Sequence, residues 1–350
     1  MDGDRLDEFR ARILERRPLC LRGGGSKDFY GGPIGGEVLA TAGHAGIVSY
    51  EPTELVVTAR CGTPLADLES ALATRRQFLA FEPPHFGKAT VGGAVAAGLA
   101  GPRRAAVGGM RDFVLGVKLM DGEGRVHRFG GEVMKNVAGF DVSRLVAGSM
   151  GTLGLVLEVS LKVLPVPPGD ASLRFEMPQE KALEALNRWS GQPLPLAASC
   201  WQDGMLTLRL GGAQAAVTAA CRNLGGEALA EAEALAFWQT LREQTAEFFA
   251  GDGALWRLSV PSVAQPLDLP GPTLIEWGGA QRWLRGDVDP VRLRELAARA
   301  GGHATLFRGG DKTAGVFTPL SPVLMEVHRR LKQSFDPYGV FNPGRLYPEF

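Results

Sequence analysis

The sequence is poor in cysteine and has no clustered metal-binding residues. Its four cysteines, Cys20, Cys61, Cys200 and Cys221, are scattered and never form a C-x-x-C pair. The usual spacings of zinc sites and iron–sulfur clusters are therefore missing. Isolated thiols are typical of reduced proteins of the cytosol rather than of disulfide frameworks. We therefore expect no metal site in this chain.

Long apolar runs and an excess of charge are also missing. Lys plus Arg and Asp plus Glu both number 38, which disfavours a general nucleic-acid-binding protein and a polybasic membrane anchor. No apolar run approaches the roughly 18 residues that a membrane span needs. Residues 1–17 are rich in acids and bases and lack the apolar stretch of a secretory signal. These features predict a cytoplasmic protein.

Glycine is what the sequence has in excess. The 350 residues include 47 glycines, about twice the number that an average usage of about 7% gives. Three of them form the loop Arg22–Lys27, directly after an apolar run. Successive N–H groups in such a loop can bind an anion, and Arg22 and Lys27 would complement a phosphate. Taken alone, the triplet is better explained as a mobile surface loop.

A second glycine-rich stretch follows at Lys88–Gly98, where Thr90 is positioned to cap a helix of mostly Gly and Ala. Each Gly costs a helix about 1 kcal/mol relative to Ala. Either another backbone packs very closely against this helix, or a flat ligand lies on it with phosphates at its N-terminus. The residues alone leave both explanations open.

Two more glycine turns, Gly108–Asp112 with its Arg111 and Ser149–Gly154, are each followed by a predicted strand. Neither a Walker A loop nor the G-x-G-x-x-G fingerprint of the Rossmann fold is present. Several glycine turns in one domain, three of them with a cation nearby, suggest a long ligand bound along many backbone edges. A dinucleotide such as FAD fits this description better than a mononucleotide.

The pattern of elements predicts an α+β fold in two main parts. A helix over 4–16, a helix over 63–73 capped by Thr63, and an alternating strand over 155–164 belong to the first part. Pro165–Gly169 marks a boundary. Beyond it, strands and helices, including a long helix over 231–249, predict an antiparallel sheet with helices on one face. We assign 1–168 to the first domain, 169–320 to a cap or interface domain, and 321–350 to a final helix and tail that packs back on the first domain.

Several segments resemble the FAD-binding domain of the vanillyl-alcohol oxidase/p-cresol methylhydroxylase superfamily. They are Arg22–Ser26, Ala89–Gly93, Gly109–Asp112 and Gly151–Gly154. More narrowly, the chain resembles the GlcE-type small flavin subunits of glycolate oxidase. The segments that carry this second likeness are Gly23–Gly31, Met134–Asp141 and Phe335–Pro348.

The resemblance implies a PCMH-type FAD-binding domain of two α+β subdomains, together with an antiparallel-sheet cap. Relatives with a covalently tethered flavin place a histidine where this chain has Ser26, so the resemblance implies noncovalent FAD. Gly24 would then lie against the pyrophosphate, and a valine there would displace it. The cofactor-binding residues implied are Arg22, Gly23, Gly24, Gly25, Ser26, Lys27, Pro84, Thr90, Gly92, Gly93, Gly108, Arg111, Asp112, Gly151, Gly154 and Val156.

The catalytic residues are not identified by the sequence. Larger 2-hydroxy-acid dehydrogenases of the superfamily carry a paired-histidine, metal-associated motif, and the five histidines here lack such spacing. His303 and Arg308 form the one polar cluster of the cap and are weak candidates for catalysis. His85 is better explained as a hydrogen-bonded loop residue than as a flavin contact.

The resemblance implies a subunit of a glycolate (2-hydroxy acid) dehydrogenase, which oxidises glycolate to glyoxylate. Its partners would be a larger catalytic FAD subunit and an iron–sulfur subunit, and the complex could hold it at the inner membrane. Two alternatives stay open: an FAD-binding relay or assembly subunit that never meets substrate, and a stand-alone FAD-dependent oxidase of another alcohol.

Overall fold

The computed structural model describes residues 2–131 and 141–350, which form two compact units. The first unit takes the described residues within Met1–Leu99, Gly109–Pro165 and Gly315–Phe350, and the second takes Ala100–Gly108 and Val166–Ala314. Residues 100–108 belong to the second unit, and the chain then returns to the first. No single boundary in the sequence therefore separates the two units. The functional domains assigned from the sequence stay predictions. Most of the predicted motif Met134–Asp141 lies outside the described residues.

The strands of the described residues are numbered in chain order. They are β1 (Leu19–Arg22), β2 (Glu37–Ala40), β3 (Ile47–Glu51), β4 (Val56–Arg60), β5 (Gln77–Phe78), β6 (Val114–Met120), β7 (Val126–Gly130), β8 (Leu155–Lys162), β9 (Leu164–Pro165), β10 (Gly169–Glu176), β11 (Leu196–Gln202), β12 (Met205–Gly212), β13 (Glu227–Ala228), β14 (Leu255–Ser259), β15 (Thr273–Glu276), β16 (Gln281–Arg285) and β17 (His303–Arg308).

The helices are numbered in the same way. They are α1 (Asp2–Leu14), α2 (Leu65–Ala73), α3 (Val91–Ala97), α4 (Arg104–Val107), α5 (Met110–Phe113), α6 (Val142–Leu145), α7 (Gln179–Ser190), α8 (Gln214–Leu224), α9 (Glu231–Arg242), α10 (Pro290–Arg299) and α11 (Pro322–Phe335). Short 3₁₀ helices occupy Glu247–Phe249 and Trp277–Gly279.

The first unit contains an antiparallel sheet whose described strands are ordered β3-β4-β8-β6-β7. The alternating apolar residues of 155–164 predict β8, and the structure places it at the centre, paired with β4 and β6. Phe9 and Ile13 of α1 pack against Leu157 of this strand. A strand buried on both sides is a rigid support, and it fixes the glycine turn that immediately precedes it.

The parallel pair β1–β2 supports the glycine loop after Arg22. We predicted β1 but not β2, whose four residues are too few to show a period. Two backbone hydrogen bonds secure the ends of this pair. Glu37 N donates to Pro18 O at 2.9 Å, and Thr41 N donates to Arg22 O at 2.9 Å. The loop therefore leaves a strand that is fixed on one side by β2.

The second unit is built on an antiparallel sheet, ordered β13-β10-β12-β11-β15-β16-β14-β17 in the part of the chain that is described. Leu183 and Leu186 of α7 and Val217 of α8 pack against Leu208 of this sheet. Leu293 of α10 joins a separate apolar cluster. The mixed α+β fold with an antiparallel sheet in its second part is confirmed.

Two local predictions are wrong, and in the first of them a distant contact overrides the local pattern. Thr63 does not cap α2, because its hydroxyl is bonded to the backbone of Gly46, at 3.0 Å from N and 3.1 Å from O. The long helix predicted over 231–249 ends at Arg242, near Gln244 with its φ of 51°. The strand predicted after the turn at Gly108–Asp112 is present as β6, and the short helix α5 precedes it.

Candidate cofactor site

A half-open cavity of about 120 Å³ lies in the first unit, where its glycine-rich segments meet. The loop after β1, helix α3, the turn before β8 and the C-terminal tail all contribute to its wall. The predicted site residues that line it are Arg22, Gly23, Gly24, Gly25, Ser26, Lys27, Thr90, Gly92, Gly93, Gly151, Gly154 and Val156.

The glycine loop presents unused hydrogen-bond donors. Among the described residues, the backbone N–H groups of Gly23, Gly24, Gly25 and Ser26 donate to no protein acceptor. Gly25 has φ +71°, a conformation that glycine adopts without strain. Gly23, Gly25 and Ser26 are half-buried and Gly24 is exposed, and half-buried N–H groups without partners are rare in proteins. Four in succession, on the wall of a cavity, form a concave site suited to an anion.

Charged side chains surround this loop. Arg22 forms an ion pair with Asp28, and its Nη2 lies 2.5 Å from Asp28 Oδ2. Lys27 Nζ donates to Ser26 Oγ and to His85 O, each at 3.3 Å, and lies 5.6 Å from the centre of the Phe86 ring. Both cations are therefore held close to the unused N–H groups.

The first N–H groups of helix α3 show whether its N-terminus can bind a phosphate. Thr90 caps it as predicted, accepting a hydrogen bond from Gly93 N at 3.4 Å. Val91 N donates to Thr63 O at 2.9 Å and Gly92 N donates to Cys61 O at 2.8 Å. The first N–H groups of the helix are thus already bonded to protein, so its N-terminus has no free donor for a phosphate.

The two glycines of α3 have different environments. A Cβ atom on Gly92 would lie 2.6 Å from Cys61 Cβ, so this glycine permits close packing. A Cβ atom on Gly93 would meet Thr90 Oγ1 at 3.2 Å and nothing else within 4 Å, and Gly93 is exposed on the cavity wall. Close packing therefore explains Gly92, whereas a ligand that lies on the helix at Gly93 stays a prediction, without phosphates at the helix N-terminus.

Close packing also explains two glycines of the loop. A Cβ atom on Gly23 would overlap Thr90 Oγ1, and one on Gly24 would overlap the carbonyl oxygen of Lys88. A side chain at Gly24 would thus meet the neighbouring loop of the protein. Its effect on the pyrophosphate stays a prediction.

Four predicted residues are not brought to this cavity. Pro84 is buried elsewhere in the first unit, and Gly108 follows α4 in the second unit. Arg111 is exposed, and Asp112 Oδ2 accepts a hydrogen bond from Gly109 N at 2.8 Å at the start of α5. A role for these residues toward the cofactor stays a prediction.

The prediction missed several residues of the cavity wall, including Asn342 and Arg345 of the C-terminal tail. Both lie in the motif Phe335–Pro348, which carried the family resemblance without indicating a position. Cys20 and Cys61 line the cavity too. Burial raises the pKa of both thiols, that of Cys61 to about 12.

The weak catalytic candidates are not adjacent. His303 begins β17 and Arg308 ends it, so their Cα atoms are about 16 Å apart along the strand. Arg308 donates to Gln244 Oε1 at 2.6 Å. A catalytic role for either residue stays a prediction. His85 is hydrogen-bonded as predicted, with Nε2 3.0 Å from Glu69 Oε2.

Within residues 2–131 and 141–350, no group of three or more His, Cys, Asp or Glu residues is arranged to hold a metal ion. A search of the same residues finds no helix that is long and apolar enough to cross a membrane.

Comparison with known protein families gives two matches. Residues 11–130 match the FAD binding domain, and residues 308–346 match the C-terminal domain of FAD linked oxidases. These two segments contain the glycine loop and the tail that meet at the cavity.

Two curated proteins are similar in sequence. Glycolate oxidase subunit GlcE of Escherichia coli (strain K12) is 50% identical over 345 residues, which cover 98% of this chain and 97% of that protein. Glycolate oxidase subunit GlcD of Bacillus subtilis (strain 168) is 33% identical over 155 residues, covering 43% of this chain and 33% of that protein.

Solved structures show the same fold at low sequence identity. 4-Ethylphenol oxidase from Gulosibacter chungangensis superposes with a TM-score of 0.69 at 15% identity, covering 97% of this chain and 87% of that one. p-Cresol methylhydroxylase gives a TM-score of 0.65 at 14% identity, covering 97% and 86%. The predicted PCMH-type fold is confirmed.

Proposed function

This chain belongs to the family of glycolate oxidase subunit GlcE, and from that premise we propose that it binds FAD noncovalently, with the pyrophosphate on the loop Arg22–Ser26. It is an FAD-linked oxidoreductase subunit, as the resemblance implied. The observation that carries the proposal is the row of four unused N–H groups at Gly23–Ser26. An anionic group would satisfy them, and Arg22 beside them would complement its charge.

The size of the cavity supports its assignment to the pyrophosphate part of FAD. Its 120 Å³ is below the roughly 300–1,000 Å³ of pockets that enclose a whole small ligand. The cavity therefore suits the pyrophosphate and the groups next to it, and the remainder of FAD would extend beyond it. Gly93, Gly151 and Gly154 line the wall and leave room for a close approach of the ligand.

The chemistry of the cavity wall supports a noncovalent cofactor. The position that carries a histidine in tethered relatives is Ser26, whose hydroxyl is a weak nucleophile without an adjacent base. The two thiols on the wall, Cys20 and Cys61, have raised pKa values because they are buried. They stay neutral near pH 7, whereas the thiolate is the reactive form. Acid precipitation tests this: FAD should remain in the supernatant, and flavin that stays with the pellet would refute the noncovalent mode.

The functional context we propose is the oxidation of glycolate to glyoxylate in a complex with a larger catalytic FAD subunit and an iron–sulfur subunit. When bound, FAD supplies an acceptor for the two electrons that leave the hydroxy acid. The scattered cysteines of this chain do not match the usual cluster spacings. The iron–sulfur clusters of the complex would accordingly belong to another subunit.

A relay role without direct contact to substrate is the second candidate. Oxidation of a hydroxy acid needs a base for the hydroxyl proton and a cation for the carboxylate. Among the described residues on the cavity wall there is no histidine, and Asp28 is the single carboxylate, already paired with Arg22. A stand-alone oxidase would have to take its base from elsewhere in the chain.

One experiment separates these functions. The full chain is purified alone, reconstituted with FAD, and mixed with glycolate or D-lactate without oxygen while the flavin absorbance is recorded. Bleaching of the flavin band supports catalysis by this chain, and the substrate that causes the bleaching identifies the hydroxy acid. A persistent oxidised band with FAD bound supports the relay role. Failure to bind FAD at all would refute the cofactor site.

A further inference from the structure

The C-terminal tail runs beside the strand that delivers the glycine loop. Leu19 N donates to Val340 O at 2.7 Å, and Asn342 N donates to Leu19 O at 2.9 Å. This pairing extends the parallel arrangement of β1 and brings the side chains of Asn342 and Arg345 to the cavity wall. Residues more than 300 positions apart in sequence thus share one site.

Asn342 joins the two glycine turns of the cavity. Its Oδ1 accepts a hydrogen bond from Leu21 N at 2.7 Å, and its Nδ2 donates to Met150 O at 2.7 Å. Leu21 is the last residue before Arg22 and the glycine loop, and Met150 directly precedes Gly151. The side chain therefore fixes the chain where it enters the loop.

Arg345 fixes the chain where it leaves the same loop. Its Nη1 donates to Gly32 O at 2.5 Å and to Asp28 O at 3.3 Å, and its Nη2 donates to Tyr30 O. Arg345 as a whole is 8% exposed, so these bonds are shielded from water. Planar guanidinium groups present several donors in a fixed geometry, which suits a curved row of carbonyl oxygens.

The glycine pair after the loop makes this contact possible. A Cβ atom on Gly32 would overlap the carbonyl oxygen of Gly344, and one on Gly31 would lie 2.8 Å from Arg345 O. Gly32 N also donates to Arg345 O at 2.8 Å. The tail thus docks on a surface from which side chains are excluded.

The tail is itself anchored by a buried ion pair. Asp336 Oδ1 and Oδ2 accept hydrogen bonds from Val340 N at 2.9 Å and Phe341 N at 2.8 Å. Lys332 Nζ donates to Asp336 Oδ2 at 2.7 Å and to Thr152 O at 2.8 Å. The segment that carries Asn342 is therefore held rigidly against the turn before β8.

We propose that Asn342 and Arg345 are positioning residues that hold the loop Arg22–Ser26 in its anion-binding form before the cofactor arrives. The inference rests on the proposed FAD site. Glycine loses more conformational freedom on ordering than any other residue. A ligand that had to order a free glycine loop would bind more weakly by that free energy, and a preorganised loop avoids the cost. The two side chains act on the protein backbone and need not touch the cofactor.

The test compares Arg345→Met with Arg282→Met in the full chain. Arg282 is a matched control because it is fully buried and donates to three carbonyl oxygens, those of Gly279, Gln265 and Ala264, in the second unit. We expect both variants to lower the melting temperature. Only Arg345→Met should weaken FAD binding, by about tenfold or more, as measured by calorimetric titration well below the melting temperature.

Local hydrogen–deuterium exchange in the FAD-free chain distinguishes positioning from general destabilisation. The bonded amides of this loop, those of Asp28 and Tyr30, which donate to Gly25 O and Lys27 O, should exchange faster in Arg345→Met and in Asn342→Leu than in wild type, and should be unchanged in Arg282→Met. Arg345→Lys should recover part of the affinity, since one ammonium group cannot span the same carbonyl oxygens.

Equal FAD affinity in wild type and Arg345→Met would overturn the inference. If Arg345→Met does not fold, Asn342→Leu decides, and unchanged affinity in that variant would overturn it as well. Wild-type chain that binds no FAD would instead refute the proposed function, so the two failures are distinguishable.

Discussion

The backbone of Gly24 lies directly against the carbonyl oxygen of Lys88, and no side-chain atom fits between them. Gly24→Ala must therefore push the glycine loop away from the segment that leads into α3. We expect the variant to lose about 1–3 kcal/mol of stability, as overpacked sites do, together with its FAD affinity. Chemical denaturation and FAD titration measure the two effects. Wild-type stability in Gly24→Ala would show that the loop adjusts without cost.

A substitution at Gly93 is the matched comparison for Gly24→Ala, because a side chain at Gly93 would face the cavity. A Cβ atom there meets one protein atom, Thr90 Oγ1 at 3.2 Å. Gly93→Leu should therefore keep the fold and place its side chain where the cofactor is proposed to lie. We expect a melting temperature near that of wild type and an FAD affinity reduced by about tenfold or more, since a filled cavity excludes the ligand. Undiminished affinity would place the cofactor elsewhere.

Lys332 anchors the C-terminal tail through a buried ion pair with Asp336. Lys332→Met leaves the carboxylate of Asp336 buried without its cation, which typically costs about 3–5 kcal/mol. Lys181→Met is the control, since Lys181 and Glu184 form an exposed pair on α7 and such pairs contribute about 1 kcal/mol or less. Urea denaturation should show a much larger loss of stability in Lys332→Met than in Lys181→Met. Similar losses would mean that the buried pair adds no special stability.

Asp121 predicts a dependence of stability on pH. Burial raises the pKa of its carboxyl, but hydrogen bonds from His127 and from the N–H groups of Arg125 and Glu123 outweigh burial and leave the pKa below its ordinary value of 3.8. A carboxyl with a lowered pKa in the folded state stabilises the fold above the unfolded-state value. That stability is lost as the pH falls through the lowered pKa.

Asp121→Asn should therefore be less stable than wild type at pH 7, by about 1–3 kcal/mol. Below pH 3.8 its free energy of unfolding should fall less steeply than that of wild type. Urea titrations at pH 7, 4 and 3 measure both differences. Parallel curves over that range would show that Asp121 does not contribute to the acid sensitivity.

The cysteines predict a pattern of alkylation. Burial raises the pKa of Cys61 to about 12, raises that of Cys20 as well, and places that of Cys200 well above 9.0. Cys221 is half-buried. At pH 8 the native chain should react with iodoacetamide at Cys221 far faster than at the other three, and all four should react in denaturant. Peptide mass spectrometry identifies the sites, and rapid labelling of Cys61 would mean that the cavity wall opens.

Local sequence patterns determined most of the secondary structure and the members of the glycine loop. Ser321 and Pro322 mark the start of α11, and Thr90 marks that of α3. The alternation over 155–164 identified the central strand β8. These predictions succeed because caps and periods are properties of neighbouring residues.

The tertiary structure decided which of these residues meet. Gly92 packs against Cys61, whereas a side chain on Gly93 would face the cavity. The two glycines are adjacent in sequence, and no local pattern distinguishes them. Thr63, which the local pattern made a helix cap, is bonded to Gly46 instead. The difference arises from which segments approach in space, and no local pattern records that.

The sequence by itself determined the α+β class, the family and the glycine-rich loop. The tertiary structure alone decided that Asn342 and Arg345 fix the two ends of that loop. Leu21 and Asn342 are 321 residues apart, and Tyr30 and Arg345 are 315 apart. Contacts of that separation depend on the whole fold closing around them, so the motif in the tail was visible in the sequence while its place beside the cavity was not.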